Sequence, residues 1–432
     1  MNRLRLHLCL WMWLAIAAAS YAVQRFPPPQ FDTPRDIPAT TTPAPKAASM
    51  ELVDVAVLTA ALSVAAWLVH KKRSRGWIVA LMLFSLAYFG FWRQGCICSV
   101  GSIGNVTLAI FDRSYVLPLT VLAFFLLPIV FTLFFGRVFC GAVCPLGMIQ
   151  DLVLIRPLRV PPWLEAALRL MVWLYLGLAV LMAATASGFI ICRDDPFVAF
   201  FRFGANPQMW VISVAFVLVS IFIGRPYCRF VCPYGLILRQ AGRLSKYGVT
   251  ITPDECIHCR LCEDACPFGA IEIPTADWPD RQRAIAKRRV RLLILSLPIL
   301  ILIGGVLGYK AAPLLAHSNP TVQLADRIRL EETGVVRDTT EESDAFRTTG
   351  HSVESLYAQA EVKGRQFTLG VMLLGAAMGL LCGLTVIRTH ICVRRDDYQA
   401  HRAGCFACGR CFTACPREHL RRKQRQPENS IL

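Results

Sequence analysis

Charge is scarce in this chain. Asp, Glu, Lys and Arg make up 17% of 432 residues, against roughly 25% in an ordinary soluble domain. The deficit argues against a soluble protein and against disorder. None of the eight histidines falls in the middle of an apolar run, His70 and His390 lying at span ends, which argues against a haem held by two imidazoles inside a bilayer. No CxxCH occurs, which excludes covalently attached haem. No Gly-rich nucleotide loop stands out, and no chain of acids runs through the apolar segments: Asp54, Asp112 and Glu165 sit at their edges. A pump or ion transporter would need such a chain.

What is abundant is apolar sequence. Hydrophobic residues reach 55% and mean hydropathy is +0.47. Eight stretches approach the roughly 20 apolar residues that a bilayer requires: 6–23, 52–70, 77–92, 114–135, 165–187, 207–224, 291–311 and 367–387. The first reads equally as a cleavable signal peptide, with Arg3 and Arg5 ahead of an apolar middle and small residues behind it. Either reading leaves residue 24 outside. Threading onward puts 1–5, 71–76, 136–164, 225–291 and 388–432 inside, with 31 of the 46 Lys and Arg; the outside segments 24–51, 93–113, 192–206 and 310–366 carry 14. This asymmetry is the positive-inside pattern. It absorbs the net charge of +17 without a nucleic-acid partner, for which no fold signature is present.

The expected fold is therefore a predominantly α-helical polytopic membrane protein of seven or eight spans, carrying a small α+β ferredoxin-like domain split in sequence on the cytoplasmic side. Its expected parts are a leader or first span (1–23), a Pro/Thr-rich outside linker (24–51), a membrane domain with two tandem motifs (52–250), the first ferredoxin half (251–280), a span (281–312), an outside loop (313–365), a span (366–388), and the second ferredoxin half with a basic tail (389–432). The outside loop is polar enough to be a small partner-facing element or partly disordered.

The 18 cysteines belong to a chain far too long and apolar for a disulfide scaffold, so metal ligation is the first expectation. Cys256, Cys259, Cys262 and Cys266 form C-x2-C-x2-C-x3-C before Pro267. Cys405, Cys408, Cys411 and Cys415 repeat the pattern before Pro416. Three thiolates at this spacing wrap a cubane while the fourth ligates the other cluster. That predicts one [4Fe-4S] cluster on Cys256, Cys259, Cys262 and Cys415, and another on Cys405, Cys408, Cys411 and Cys266. Zinc, the alternative for paired C-x2-C, does not explain the third cysteine or the C-x3-C-P tail.

A second set is an internal repeat. GRVFCGAVCPLGMI (136–149) aligns without gaps to GRPYCRFVCPYGLI (224–237). Cys140 and Cys144, and Cys228 and Cys232, are i, i+4 pairs that share a face if the turn is helical. Three readings stay open: a further iron–sulfur cluster shared by the four thiolates, a dithiol redox pair, or structural packing. Arg137 and Arg225 read as snorkelling anchors, or as cations for a charged cluster or a quinone oxygen. The third set, Cys96, Cys98 and Cys192, lies outside. It could ligate a cofactor, form a disulfide between Cys192 and Cys96 or Cys98, or simply pack. A hydrocarbon core of about 30 Å would separate it from the CxxxCP motifs, so a quinone or other carrier would have to bridge them. Cys9, Cys382 and Cys392 are isolated and read as packing residues.

The paired GRxxCxxxCPxG segments, the two ferredoxin motifs, GCICSVGSIGNV, CRDDPF and CGRCFTACPRE together resemble the NosR/NapH type of membrane polyferredoxin over roughly residues 77–420. The resemblance implies electron passage between the quinone pool and outside reductases or their assembly steps. It also implies ligand roles for the eight ferredoxin cysteines and a family role for Cys140, Cys144, Cys228 and Cys232. NosR-like proteins commonly carry an outside flavin domain. Segments 24–51 and 310–366 are too short to fold one, so any flavin sits on a partner. Expected partners are lipid, the quinone pool, an outside redox protein or reductase, and a cytoplasmic donor; the expected location is the bacterial inner membrane with the C-terminus inside. Two rivals share the same cluster chemistry: a maturation factor supplying electrons for metal-site assembly, and a redox sensor.

Overall fold

The computed structural model describes residues 48–95, 99–203, 207–251, 256–275, 280–391 and 395–425. The leader, most of the Pro/Thr-rich linker, Cys9, Cys96, Cys98 and Cys392 lie outside these residues. The chain is mostly helical. Five described helices are long and apolar enough to cross a membrane: Ser49–Lys72, Arg75–Trp92, Pro162–Ala184, Ile285–Ala316 and Val353–Thr389.

Two expected spans come out shorter than a bilayer is thick. The 114–135 stretch is helical only over Leu119–Phe135, because Pro118 holds an extended backbone at its start. Its 17 residues rise about 26 Å. The 207–224 stretch is helical over the 14 residues Pro207–Ser220, about 21 Å. Conversely, Ser102–Phe111 is an apolar helix with Ser102, Ile103, Gly104 and Thr107 buried, although the sequence reading placed 93–113 outside. It packs against the Leu119–Phe135 and Pro162–Ala184 helices.

The last two long helices, Asp280–Ala316 and Val353–Thr389, have 37 residues each and form the most extensive helix pair among the described residues. Their contact is built from small residues four apart: Gly304 and Gly308 on one helix, Gly375, Gly379 and Gly383 on the other. A Cβ on Gly375 would lie 2.1 Å from the Gly304 carbonyl oxygen, and one on Gly379 would lie 2.1 Å from that of Leu300. In lipid, where apolar burial gives no net drive between helices, such close backbone approach supplies the packing energy. Gly375→Val should therefore destabilise the hairpin by about 1–3 kcal/mol. A detergent-solubilised melting curve indistinguishable from that of the unchanged protein would refute this.

Between these helices, residues 317–352 form an ordered helical element rather than a disordered loop. Asn319 caps Pro320–Glu332, Thr340 closes a capping box at Glu341–Thr348, and Ala325, Ile328 and Leu356 form a small core.

Segments 71–76, 225–251 and 395–425 converge on one end of the bundle. Arg73 bonds Glu418 at 2.8 Å and the Thr250 and Ile251 carbonyls. Arg75 donates to the Cys408 carbonyl, and Arg402 to that of Ser245. Elsewhere in the bundle, Tyr88 and Arg93 hold Asp54, Thr120 holds Glu51, and Lys363 caps the Thr185 carbonyl. The two ferredoxin halves pair directly, Ile271 opposite Ala400 and Glu272 opposite Gln399 in an antiparallel ribbon.

Candidate metal centres

The CxxxCP repeats do not run as one helix. Cys140 lies in the short helical turn Phe139–Val143 and Cys228 in Pro226–Phe230. Cys144 and Cys232 take extended backbone as the N-caps of Pro145–Leu152 and Pro233–Arg243. The proline after each second cysteine begins the new helix, where its missing N–H is no loss. The motif glycine follows from the same bend. A Cβ on Gly147 would stand 3.0 Å from the Cys140 carbonyl oxygen, and one on Gly235 would stand 2.9 Å from that of Cys228.

This geometry brings the four thiols together. Cys144 and Cys232 each feel Cys140 and Cys228 electrostatically, and burial together with these neighbours pushes both thiols well above their ordinary range. Burial pushes Cys228 up to about 11. Free thiols so placed would stay protonated and inert. Yet donors point at their sulfurs: Gln150 Nε2 at 3.3 Å from Cys228 Sγ, the Gly235 N–H at 3.2 Å from Cys232 Sγ, and Arg137 Nη2 at 3.7 Å from Cys140 Sγ. Donors aimed at buried sulfur suit metal-bound thiolates, whose negative charge they offset. The donor set fits an iron–sulfur centre.

The ferredoxin cysteines gather in two groups. Cys256, Cys259, Cys262 and Cys415 line one small cavity with Ile251 and Tyr398. Cys266, Cys405, Cys408 and Cys411 line another with Phe406. Each group takes three cysteines from one half and the fourth from the other, so neither half completes a group alone. Burial raises Cys405 to about 12 and Cys262 to about 11, the same fit as in the CxxxCP group.

Arg137 and Arg225 are not snorkelling anchors. Arg225 is wholly buried and Asp151 is 3% exposed. They bond at 3.0 and 3.3 Å in a bidentate pair, with Arg75 and Arg410 nearby. Burial opposes ionisation of Asp151, but these cations, Arg225 foremost, outweigh it and hold the carboxyl below its usual range. Arg225 Nη1 also donates to the Cys140 carbonyl, while Arg137 donates to that of Gly235. Each motif's arginine thus fastens the other motif. Gln150 and Asp151, central here, drew no notice in the sequence. The available signal was that the repeats diverge just past the aligned block, Gln150-Asp151 standing opposite Leu238-Arg239.

The ferredoxin lobe sits directly on the repeats. A Cβ on Gly141 would lie 2.0 Å from the Phe406 carbonyl oxygen, and one on Gly224 would lie 2.9 Å from that of Pro267. Phe268 and Phe406 pack at 4.9 Å between ring centroids, and Arg137 lies over Phe406 at 4.2 Å.

Cys192 requires a correction. It lines the same cavity of about 200 Å³ as Cys144, together with Ser99, Ser102, Asn105 and Asp195. No full hydrocarbon thickness separates the Cys192 region from the CxxxCP motifs. The short helices 119–135 and 207–220, with the inward-packed 102–111 helix, bring both into one cavity. Burial raises the Asp195 carboxyl to about 6 against the opposing bond from the Phe197 N–H. Cys382, on the second hairpin helix, is half-buried and belongs to none of these groups.

Three models described as 4Fe-4S binding domains match the chain: one over 117–161 and again over 206–249, one over 249–272, and one over 402–418. The first model covers both CxxxCP motifs. Among curated relatives, the putative electron transport protein YccM of Escherichia coli is 30% identical over 157 residues, 32% of this chain and 43% of that protein. The regulatory protein NosR of Stutzerimonas stutzeri is 29% identical over 218 residues, 46% of this chain and 29% of NosR. The methylamine utilization ferredoxin-type protein MauN of Paracoccus denitrificans is 29% identical over 148 residues, 32% of this chain and 51% of MauN. The chain thus matches less than half the length of YccM and of NosR. No solved structure matches.

Proposed function

We propose, taking as premise the chain's similarity to NosR/NapH-type membrane polyferredoxins, that it is an integral membrane electron-transfer protein working between a quinol or outside redox partner and the ferredoxin end. Cys256, Cys259, Cys262 and Cys415 hold one [4Fe-4S] cluster; Cys266, Cys405, Cys408 and Cys411 hold a second; Cys140, Cys144, Cys228 and Cys232 hold a further one. Bound there, such clusters supply reversible one-electron chemistry at potentials tuned by burial and hydrogen bonds. The positive-inside asymmetry supports a cytoplasmic ferredoxin end in a bacterial inner membrane, with any flavin on a partner.

The observation that carries this reading is contiguity. Cys144 shares a cavity with Cys192 on one side, and the Cys140 motif touches the Cys405 loop through Gly141 and Phe406 on the other. The chain's own residues do the rest. Gln150, Arg137 and the Gly235 N–H orient and offset the CxxxCP sulfurs, and Phe268 and Phe406 keep water from the junction. Ser99, Asn105 and Asp195 give the Cys144–Cys192 cavity the polarity that a quinol head group needs. Oxidation of a quinol there would release two electrons, passed one at a time to the centre that Cys140, Cys144, Cys228 and Cys232 would hold, and two protons, of which Asp195 takes one and water at the cavity mouth the other.

Anaerobic iron and sulfide analysis tests the assignment. The Cys140→Ser/Cys228→Ser variant should lose one cluster of three, and an unchanged stoichiometry would remove the CxxxCP group from the reading. Rapid-mixing reduction by a quinol analogue in nanodiscs tests the cavity. Asp195 accepts a proton only when ionised, so the rate should rise as pH passes through about 6. Asp195→Asn should lower that rate by roughly 10²-fold and flatten the profile. A variant with the parent's rate and profile would exclude Asp195 as the acceptor.

A further inference from the structure

A second cavity, about 430 Å³, exceeds the one of about 200 Å³ beside Cys192. It lies at the ferredoxin end, bounded by the start of the Pro162–Ala184 helix, the Pro233–Arg243 helix, the end of the Val353–Thr389 helix and the second ferredoxin half. Its wall carries six arginines: Arg137, Arg169, Arg229, Arg239, Arg243 and Arg388.

Only two carboxylates line it, and both are engaged. Glu165 is shared by Arg169 and Arg229, and Glu272 is held by Arg395 at 2.7 Å with His401 at 3.8 Å. Arg239, Arg243 and Arg388 pair with no carboxylate among the described residues. The buried Nε atoms of Arg137 and Arg239 have no hydrogen-bond partner. Burial and the surrounding cations, Arg169, Arg137 and Arg243, bring Arg239 down to about 9. A cavity this cationic is not balanced from within.

The repeat explains the imbalance. Continuing the gap-free alignment by two residues sets Arg239 opposite Asp151. In one half of the pseudo-symmetric core, Arg225 faces the internal anion Asp151. In the other half, Arg137 has Arg239 for a neighbour instead. The second half lacks its anion.

We propose that this cavity binds a phosphate-bearing anion, the head group of an anionic phospholipid, which completes the charge balance that Asp151 provides in the other half. Arg388 sits where the Val353–Thr389 helix leaves the apolar region. Leu384 and Leu380, one and two turns back on the same face, are 41% and 36% exposed. They offer an acyl chain a track leading away from the arginines. Arg239 and Arg243, one turn apart, and Arg388 hold the phosphate. Its position beside Cys228 and Phe406 ties lipid occupancy to the seat of the ferredoxin lobe.

The test uses the full-length protein with its clusters in place, in neutral detergent, its melting followed as phosphatidylglycerol, phosphatidylcholine or inorganic phosphate is added. Phosphatidylglycerol should raise the melting temperature where phosphatidylcholine does not. Arg239→Gln/Arg243→Gln should weaken that response roughly tenfold or more, whereas Arg239→Lys/Arg243→Lys should largely keep it. Arg288→Gln/Arg289→Gln removes the same charge from an exposed run and should leave the response intact. Arg388→Gln is the second probe should the double variant fail to fold, with iron content as the folding check. Inorganic phosphate reproducing the full effect would give the site to a soluble anion and overturn the lipid assignment. Equal loss in the 239/243 and 288/289 variants would reduce the effect to net charge and overturn the site.

Discussion

Arg225→Ala should cost about 3–5 kcal/mol of stability, because it leaves the buried Asp151 carboxylate without its principal counter-charge. It also strips a donor from the Cys140 carbonyl, so the two CxxxCP motifs lose a mutual fastening and iron content should fall with stability. Arg225→Lys should not rescue it: one ammonium cannot make the two parallel bonds to Asp151 and reach the neighbouring motif at once. Arg159 gives the contrast. It pairs with Glu263 and Asp264 but is 65% exposed, and Arg159→Ala should shift stability by less than about 1 kcal/mol. Melting of the three variants in detergent, with iron assayed in parallel, checks the prediction. Arg225→Ala melting with Arg159→Ala would show that the buried pair does not organise this end of the bundle.

Gly141→Val is expected to be the most damaging glycine substitution in the repeat region. The obstacle is not a side chain that can turn aside but the Phe406 carbonyl, 2.0 Å from the new Cβ. Either the first CxxxCP motif or the Cys405 loop must move. The selective consequence should be loss of the cluster on Cys266, Cys405, Cys408 and Cys411, seen as a lower iron-to-protein ratio and a missing EPR component after reduction. Gly364→Ala, on a helix with nothing within 4 Å of the added carbon, should be neutral or slightly stabilising, as alanine is the better helix former. Full cluster content in Gly141→Val would mean that the ferredoxin lobe does not depend on this contact for its seat.

How legible each part was in the sequence follows from the range of the interaction behind it. The ferredoxin motifs are local: three sulfurs and a proline within twelve residues constrain their own geometry, and the grouping of Cys415 with the first half, or Cys266 with the second, follows from the proline bend. The long apolar helices are legible for the same reason, since hydrophobic length is counted along the chain. The Gly304/Gly308 and Gly375/Gly379 spacing is a helix-pairing signal of the same local kind.

The rest was decided by residues far apart in sequence. That Arg225 faces Asp151 rather than a bilayer surface, and that Cys144 and Cys192 share one cavity, depends on short helices ending early and on segments packing inward, both set by tertiary contact. Composition by itself determined that this chain is apolar, basic at one end and rich in thiols spaced for iron. Only the folded arrangement decided which thiols share a cavity, which arginines are balanced and which are not, because Coulomb energy and desolvation depend on distance and burial, and neither is written along the chain.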